Sequence, residues 1–548
     1  MAFLELSMET EGIMGLSVGF AGPDGYSWAA GLGYADHGQD VRASQYTVYP
    51  VASLTKMFTN IAVMQLMGQG LLNLDKPVSA YLPEFKIMSR FDDQPPMLVR
   101  HLLGHYAGLP RDLYKGIMAQ DPSVRPGLFE HLAGQYVAYP PGIKYLYSNL
   151  GYELLGKLIE NLSGESFEDY IQERVLVPLG MAHSGFRDKS SDPGSLSGAY
   201  IRWDETAYRE MPHNLRASGG LYSNTRDMVE LLDWILATGH REPRVGDALL
   251  QMMWRDQKTA ESLDIGLQSG WSWIMEEYPE PMEGFYAYQI GSTMHYNAVM
   301  AVAPAHHMGV VLLCNTGGVL DALEEMARLI ILAAIQQERG QSFPADEPPP
   351  EVPFESPPQE ALDGITGLYL LQNELFRVSS LNGELVFTTQ DQTMQAMYHA
   401  DGWFSISEGF RFKALHWDDT RVLVIDRNGS VFPAGIDITD RYILPAELFA
   451  KLGSYRLTGV DPEIEEVIYQ EARVLLDEGI MKLELVLSPH QQRVFGYEYA
   501  GFNLIPAGPG EAIIGGFGMY KGETVFFDVD DEKRYIRFAG LRFLKTGH

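Results

Sequence analysis

Ser53 and Lys56 lie three residues apart in the segment Val51-Ala-Ser-Leu-Thr-Lys-Met57. In a helix, residues with this spacing share a face, so the hydroxyl and the amine can meet. A serine that begins a helix also has a backbone N–H free of intrahelical bonding, and the helix dipole there favours a developing oxyanion. A lysine kept neutral by burial or nearby positive charge can take the serine proton. The alternative is a helix-start serine followed by a solvated lysine.

The context of this pair favours the chemical interpretation. No other Ser-x-x-Lys occurs in the chain. The segment follows a strand-like stretch, Tyr46 to Val51, and opens a predicted helix from Ser53 to Met67. That helix carries apolar residues at a spacing of three to four, namely Met57, Phe58, Ile61, Met64 and Met67.

A second candidate element is Tyr147-Ser148-Asn149, just before a predicted helix from Tyr152 to Leu162. A tyrosine at this place can share proton transfer with Lys56, and the asparagine amide can bind both the lysine and a substrate carbonyl. The same tripeptide recurs as Tyr222-Ser223-Asn224. There, helix capping by the serine or the asparagine is a sufficient explanation. Capping could explain the first copy too, but we expect the first copy to be the chemical one.

Four longer stretches together resemble the serine β-lactamase and penicillin-binding-protein superfamily, on its class C branch. This branch includes D-stereospecific aminopeptidases, family VIII esterases and related amidases. The resemblance places the first family motif on Ser53 and Lys56 and the second on Tyr147 and Asn149. It implies a helical domain beside an α/β domain, with the site between them. The stretches are VASLTKMFTNIAVMQLMGQGLLNLDKPVSAYLPEF, RHLLGHYAGLP, YSNLGYELLGKLIENLSGESFEDYIQERVLVPLGM and ASGGLYSNTRDM.

The third family motif, Lys-Thr-Gly or His-x-Gly, corresponds here to Gln289-Ile290-Gly291. Gly291 leaves the backbone open to an approaching substrate. The resemblance implies that the N–H of Ser292 pairs with that of Ser53 as the oxyanion hole.

Gln289 departs from the family pattern because an amide cannot supply the charge that draws a substrate carboxylate. This argues against β-lactamase and DD-carboxypeptidase activity. His295 lies close by in the sequence and could compensate, but we expect an ordinary strand histidine. His105, in LLGHYAGLP, matches a structural position of the family, and we assign it no chemistry.

Two further motifs are interpreted as coincidences. Lys545-Thr546-Gly547 spells the third family motif but lies at the C-terminal end, beyond the domain that carries the others. Gly15-Leu16-Ser17-Val18-Gly19 fits a nucleophile elbow, which needs a strand, a sharp turn and a helix. A hairpin signal, Ala21-Gly-Pro-Asp-Gly25, follows instead, so Ser17 is predicted to be a strand residue.

Terminal strands and a terminal helix suggest one sheet completed by both ends of the first domain. The predicted strands are Met14 to Phe20, Gly25 to Tyr34, Gly284 to Val302 and Met308 to Asn315. The predicted closing helix runs from Asp321 to Gln336.

The proline-rich acidic segment 341–360 cannot continue a helix or a central strand, so it is predicted to be an extended linker. The β-lactamase-like domain before it spans 1–340.

After the linker, short alternating runs broken by glycine turns indicate antiparallel β-barrels. We predict one barrel over 361–446 and a second over 447–548. The repeated Gly-x-Tyr at Gly367 and Gly453, with the similar lengths, suggests duplication. A β-lactamase-like domain followed by two lipocalin-like barrels resembles the D-aminopeptidase arrangement, in which the appended domain lines or covers the active site and selects substrates. The alternative is that the barrels serve stability or oligomerisation.

Composition restricts the partners and the compartment. The net charge of −31 over 548 residues argues against nucleic acid or an anionic membrane as a partner. One cysteine, Cys314, allows no intramolecular disulfide, and it lies in an apolar run typical of a buried strand. No run is long enough to span a bilayer. The first residues do not form a signal peptide, so the chain as written is expected to be cytoplasmic, with a trimmed secreted or periplasmic form left open.

These observations predict a serine hydrolase that works through an acyl-enzyme on small amide or peptide substrates, including D-amino-acid-containing peptides. No metal or organic cofactor is expected, and homo-oligomerisation stays open. The alternatives are a family VIII-type carboxylesterase, a β-lactamase or DD-carboxypeptidase, and a penicillin-binding sensor that acylates without turnover.

Overall fold

A computed structural model gives the architecture of most of the chain. The described residues are 2–91, 94–112, 127–187, 196–208, 210, 215–236, 242, 245, 247–259, 262, 264, 266–277, 284–339, 352–370, 375–381, 383–389, 392–407, 410–417, 420–427, 430–438, 446–458, 469–477, 480–495, 498–508, 510–514, 522–530, 533–538 and 541–546.

An eight-stranded antiparallel sheet forms the centre of the first domain, and strands from both ends of that domain meet in it. The first strand pairs with the last long one, with Leu16 opposite Cys314. The prediction that both ends complete one sheet is therefore confirmed. The strands, in their order across the sheet, are Val41–Arg42, Ser27–Asp36, Gly15–Ala21, Met308–Cys314, Asn297–Ala303, Phe285–Ser292, Ile274–Glu277 and Gln268–Ser269.

Helices cover both faces of this sheet. Ala2–Glu11 and Leu320–Arg339 pack on one face, and Thr225–Leu236 packs on the other. Because both faces are covered, Met308–Cys314 is buried at every position and shows no polar alternation. The single cysteine ends this strand, and burial raises the pKa of its thiol to about 12. Cys314 is thus the inert core thiol that the sequence predicts.

A mainly helical region lies beside the sheet. At its centre is the helix Thr55–Gly68, of which eleven residues are buried, and Asn149–Ser163 packs against it. The other helical segments described in the first domain are Pro23–Gly25, Ala52–Leu54, Val78–Ala80, Val99–Leu103, Leu128–Ala133, Phe167–Ile171, Gln172–Leu176, Val177–Leu179, Asp247–Leu250, Gln251–Trp254 and Pro304–His306. Two small sheets complete it, made of Thr316–Gly317, Ala199–Ile201 and Asp204–Tyr208, and of Tyr49–Pro50, Leu221–Ser223 and Gly185–Phe186.

Two closed eight-stranded antiparallel barrels follow, as predicted. The first has Thr393–His399, Glu384–Thr388, Leu375–Leu381, Gly367–Leu370, Ser430–Asp437, Thr420–Arg427, Phe410–Trp417 and Phe404–Ser407, closed by pairing of the first and last of these. The second has Gly453–Thr458, Glu471–Asp477, Ile480–Val486, Tyr499–Gly508, Glu511–Ile514, Thr524–Asp530, Lys533–Phe538 and Leu541–Lys545. Short helices accompany the barrels at Gln359–Ile365, Ala446–Phe449 and Pro489–Phe495.

The two barrels begin in the same way, which supports the predicted duplication. In each, the Gly-x-Tyr tyrosine is fully buried and donates its hydroxyl to the carbonyl four residues earlier. Tyr369 reaches Ile365 O at 2.8 Å, and Tyr455 reaches Lys451 O at 2.5 Å. A tyrosine of this kind ties the first strand to the chain entering the barrel.

The segment before the first barrel is partly described. Residues 341–351 of the predicted linker lie outside the described residues. Further on, Phe354–Glu355 adds a short strand beside Thr393–His399, and a helix begins at Gln359. The boundaries at 340, 360 and 446 stay predictions. Within the described part of the chain, no helix has the length and apolarity needed to cross a membrane.

Candidate active site

Ser53 lies in a short 3₁₀ turn, Ala52–Leu54, and the α-helix begins only at Thr55. The sequence predicted that the helix starts at Ser53 itself. The difference arises at Ala52, whose φ of +46° lies in a region that residues with a side chain rarely adopt. Thr55 supports this turn by donating its hydroxyl to Ala52 O at 2.6 Å. The tight turn carries Ser53 at the edge of the helix, where its side chain is half-buried.

Lys56 is fully buried and contacts three oxygens. Its Nζ lies 3.1 Å from Ser53 Oγ, 2.8 Å from Asn149 Oδ1 and 2.7 Å from Ser218 O. Burial lowers the pKa of the lysine, while the neighbouring Tyr147 opposes that shift. A lysine can act as a base near neutral pH only if its pKa is lowered in this way.

The first Tyr-Ser-Asn segment meets this pair. The hydroxyl of Tyr147 lies 2.7 Å from Ser53 Oγ. Ser148 is the N-cap of the helix Asn149–Ser163 and accepts from Gly151 N. Asn149 binds Lys56 with its oxygen and donates its Nδ2 to Asp112 Oδ1 at 2.8 Å. The structure therefore brings the predicted serine, lysine, tyrosine and asparagine together.

The second Tyr-Ser-Asn segment caps a helix, as predicted. Asn224 Oδ1 accepts from Asp227 N at 2.9 Å, at the start of Thr225–Leu236. The hydroxyl of Tyr222 donates to Glu210 at 2.7 Å. Burial raises the pKa of that glutamate.

The predicted third motif lies on the strand Phe285–Ser292, beside Ser53. A Cβ added to Gly291 would meet Val51 O at 2.3 Å and Ser53 N at 3.3 Å, so only glycine allows this strand to approach Ser53 so closely. Gln289 is buried, and its Nε2 lies 3.4 Å from Ser53 O. Ser292 ends the strand, is exposed, and binds Asn297 Oδ1 through its hydroxyl at 2.9 Å.

Two histidines near the site, His105 and His295, make packing contacts with tyrosine rings. His105 is buried, accepts from Ser148 N through Nδ1 at 3.2 Å, and packs on Tyr147 with ring centroids 4.5 Å apart. Burial holds its pKa well below the usual value, which keeps the ring neutral. His295 is stacked on Tyr208, with centroids 5.3 Å apart. It lies in the turn between two strands and not in a strand, so that detail of the prediction was wrong.

Arg111 and Asp112 are site residues that the sequence reasoning missed. The guanidinium of Arg111 lies 5.0 Å from the ring centroid of Tyr147, and its Nε lies 3.3 Å from Asp112 Oδ2. The carbonyl of Arg111 accepts from Asn149 N at 3.0 Å. Their one signal in the sequence was position, because they directly follow the stretch RHLLGHYAGLP that resembles the family.

Glu523 of the second barrel also reaches this group. Its Oε1 accepts from Arg111 N at 2.8 Å, and the side chain is buried. Burial raises the pKa of this carboxyl to about 8, and the negative charge of Asp112 adds to the shift. Nothing in the sequence marks Glu523, since it lies more than 400 residues from its partner.

The two rejected motifs lie in structural positions. Ser17 is buried in the first strand, and its hydroxyl binds Ser44 O and the Tyr49 hydroxyl, both at 2.9 Å. Lys545 donates to Ala450 O and Leu452 O within the second barrel. Gly547 lies outside the described residues. Within the part that is described, no cluster of three or more histidine, cysteine or acidic side chains could hold a metal ion.

Comparisons with known proteins show the family to which the first domain belongs. The family model described as Beta-lactamase matches residues 2–335. Protein Flp of Staphylococcus aureus (strain NCTC 8325 / PS 47) is 27% identical over 291 residues, which cover 52% of this chain and 56% of Flp. An N-acetylmuramyl-L-alanine amidase of Bacillus subtilis (strain 168) is 29% identical over 314 residues, covering 49% of this chain and 68% of the amidase. The chain thus spans little more than half the length of Flp.

Solved structures extend the likeness in fold beyond the first domain. A penicillin-binding protein homologue from Pyrococcus abyssi, described as octameric, has a TM-score of 0.51 at 20% identity, covering 99% of this chain and 98% of its own. SurE with D-Leu has a TM-score of 0.54 at 21% identity, covering 79% of this chain and 98% of its own. At these identities the likeness shows the fold alone. Since the family model matches more than half of the chain, the chain belongs to the beta-lactamase family.

Proposed function

We propose that this protein is a serine hydrolase that works through an acyl-enzyme on Ser53. The observation that carries the proposal is the convergence of two proton-transfer groups on one hydroxyl. Tyr147 OH and Lys56 Nζ lie 2.7 and 3.1 Å from Ser53 Oγ, and the pKa of the lysine is lowered by burial. A nucleophile within hydrogen-bond reach of a base that is itself oriented by further groups is the arrangement that covalent catalysis needs.

The surroundings of Lys56 support its role as a neutral base. A neutral amine has two N–H donors and one lone pair. The two shorter contacts, to Asn149 Oδ1 and Ser218 O, can accept the two N–H groups. The lone pair is then left for the hydroxyl of Ser53, which is the longest of the three contacts. Lys56 and Tyr147 together take the serine proton and pass it to the leaving group.

The acyl-enzyme pathway has two steps. Ser53 Oγ attacks the carbonyl carbon, and the backbone N–H groups of Ser53 and Ser292 hold the resulting oxyanion. The close approach at Gly291 supports this pairing because the strand leaves no room for a side chain there. Protonation of the leaving amine expels it, and water then attacks the ester and releases the acid. Asn149 and Gln289 orient the acyl part.

The proposed substrates are small amides or peptides with a free amino terminus, including those that contain D-amino acids. Gln289 supplies no positive charge, so a substrate carboxylate is poorly held at the third motif. Near Tyr147, the charge of Arg111 is balanced by Asp112, whose Oδ2 lies 3.3 Å from the Nε of Arg111. The resemblance to an amidase and the fold shared with SurE, solved with D-Leu, support an amide substrate.

Labelling with a fluorophosphonate probe tests the nucleophile. We expect the probe to add to the wild type at one site and not to Ser53→Ala, as read by intact mass spectrometry. The matched control is Ser17→Ala, whose serine fits a rejected motif and should leave labelling intact. An adduct that persists in Ser53→Ala would refute the assignment of the nucleophile.

A substrate panel tests the substrate class. We expect turnover of D-aminoacyl or L-aminoacyl p-nitroanilides in preference to short p-nitrophenyl esters and a chromogenic cephalosporin. Preference for the esters would instead identify a carboxylesterase. Turnover of the cephalosporin alone would show that Gln289 is no barrier to a carboxylate. A single burst without turnover would indicate a penicillin-binding sensor.

Self-association is proposed as well, because the fold neighbour from Pyrococcus abyssi is described as octameric and matches nearly the whole chain. Size-exclusion chromatography with light scattering measures the mass in solution. A mass of 61.3 kDa at all concentrations would identify a monomer and refute the proposal.

A further inference from the structure

A continuous path of hydrogen bonds joins the second barrel to the candidate base. Glu523 Oε1 accepts from Arg111 N at 2.8 Å. The carbonyl of the same Arg111 accepts from Asn149 N at 3.0 Å. Asn149 Oδ1 then lies 2.8 Å from Lys56 Nζ. Three short contacts therefore lead from a barrel residue to the amine beside Ser53.

The barrel holds Glu523 in a fixed place. Its carbonyl accepts from Ile514 N at 2.9 Å, and Gly522 N donates to Ile514 O at 2.9 Å, so the backbone is paired across the barrel wall. Gly522 has a φ of +72°, and a Cβ there would meet Ala138 O at 2.7 Å. Only glycine allows the barrel backbone to come this close to the first domain.

A separate contact docks the barrel nearby. Arg90 donates to Glu511 at 2.7 Å and to Thr524 Oγ1 at 2.8 Å, and its guanidinium lies 3.4 Å from the ring centroid of Tyr136. These contacts hold the two domains together without touching the backbone of Arg111. The Arg90–Glu511 contact does not involve the side chain of Glu523, so Glu511 can be substituted as a control for docking.

We infer that Glu523 is a positioning residue for the reaction at Ser53, acting through the peptide of Arg111 and the side chain of Asn149. This inference rests on the proposed function, because the reaction is the one assigned to Ser53. The carboxyl accepts from the N–H of Arg111, and the carbonyl of the same residue accepts from the N–H of Asn149, where the helix begins. The asparagine oxygen in turn holds Lys56 in line with the serine hydroxyl.

The contact between Glu523 and the backbone N–H of Arg111 is buried. Glu523 is only 3% exposed, and an N–H left without an acceptor in such a place is costly. Removing the carboxyl should therefore shift the Arg111 peptide, and Asn149 with it. The groups that face Glu523 are Arg111 and Asp112, so the change stays local to the site.

The test compares Glu523→Ala, Glu523→Gln and the docking control Glu511→Ala. The readout is the second-order rate of acylation by a fluorophosphonate that carries no amine, so that recognition of a substrate amine does not contribute. We expect a loss of about tenfold in Glu523→Ala, which corresponds to one hydrogen bond of ordinary strength in the transition state. Glu523→Gln keeps an acceptor oxygen and should stay within about threefold of the wild type. Glu511→Ala should stay within about twofold.

A pH profile distinguishes positioning from general loosening. If Asn149 moves, water reaches Lys56 and weakens the desolvation that lowers its pKa. The rising limb of the plot of acylation rate against pH should then move to higher pH in Glu523→Ala. It should stay in place in Glu511→Ala. An equal loss of rate in both variants, with the limb unmoved, would assign the effect to docking and overturn the inference.

Hydrogen exchange gives a result that does not depend on hydrolysis. In Glu523→Ala we expect faster deuterium uptake in the peptides that contain Arg111 and Asn149, and wild-type uptake there in Glu511→Ala. Unchanged uptake in Glu523→Ala would overturn the positioning role. If Ser53 proved not to be the nucleophile, the adduct would persist in Ser53→Ala, while the exchange result would still decide the hydrogen-bond path.

Discussion

The tripeptide Tyr-Ser-Asn occurs twice in this chain, and both copies lead into a helix. In the first copy the N-cap is the serine, Ser148, and the helix begins at Asn149. In the second copy the asparagine Asn224 accepts the capping bond, and the helix begins at Thr225. The same three letters are therefore placed one residue apart relative to their helices.

That shift of one residue decides what each side chain can do. A residue is rotated by about 100° from its neighbour around a helix, so a shift of one position points a side chain elsewhere. In the first copy the hydroxyl of Ser148 caps the helix by accepting from Gly151 N. The side-chain amide of Asn149 is therefore left to bind Lys56 and Asp112. In the second, capping occupies the oxygen of Asn224. Both copies of the tripeptide lead into a helix, and in our proposal the first copy also takes part in catalysis.

The largest expected difference between the copies lies at the tyrosines. Tyr147→Phe removes a hydroxyl 2.7 Å from Ser53 Oγ, whereas Tyr222→Phe removes one that donates to Glu210. General acid–base groups contribute about 10²- to 10⁴-fold to a rate, so we expect Tyr147→Phe to lower hydrolysis of a p-nitroanilide substrate by that factor. Stopped-flow or steady-state kinetics on both variants measures the difference.

Tyr222→Phe is the matched control. It should leave the rate within about twofold and cost about 1 kcal/mol of unfolding free energy, because Glu210 loses one hydrogen bond. Equal losses of rate in the two variants would remove the functional distinction between the copies.

The difference between the copies also shows what the sequence could and could not predict. The apolar spacing of the helix after Ser53 and the glycine-broken runs after residue 360 sufficed to predict the helix and both barrels. Local patterns of this kind are set by burial of one face, so they can be seen in the letters. Which copy of the tripeptide faces Ser53 could not be seen locally. That interpretation depended on the longer family-like stretches around it.

The contribution of Glu523 was beyond the reach of the sequence for a physical reason. Its partner Arg111 lies in another domain, and the contact depends on how a barrel packs on that domain. No periodicity or turn signal encodes such packing. The start of the nucleophile helix was missed for a related reason, because an alanine with positive φ gives no signal in the sequence.

The second expected difference concerns pH, since only the first copy borders the lysine. Burial places the pKa of Lys56 below the ordinary lysine value of 10.5. A base acts when deprotonated, so the acylation rate should rise about tenfold per pH unit below that lowered pKa and level off above it. Tyr222→Phe should keep the same midpoint. Lys56→Arg, which stays protonated, should abolish the rising limb, and a limb that survives in this variant would assign the titration to another group.

The smallest difference is expected at the asparagines, and it separates activity from stability. Asn149→Ala removes the oxygen that holds Lys56, and the loss of one hydrogen bond to a proton-transfer group predicts about a tenfold lower rate. Asn224→Ala removes a helix cap and should cost about 1 kcal/mol of unfolding free energy, with a wild-type rate. Both variants are measured by denaturant unfolding for stability and by kinetics for rate. The amide oxygen binds Lys56 in Asn149 and caps a helix in Asn224. A loss of both rate and stability in Asn224→Ala would therefore mean that the start of its helix also supports the site.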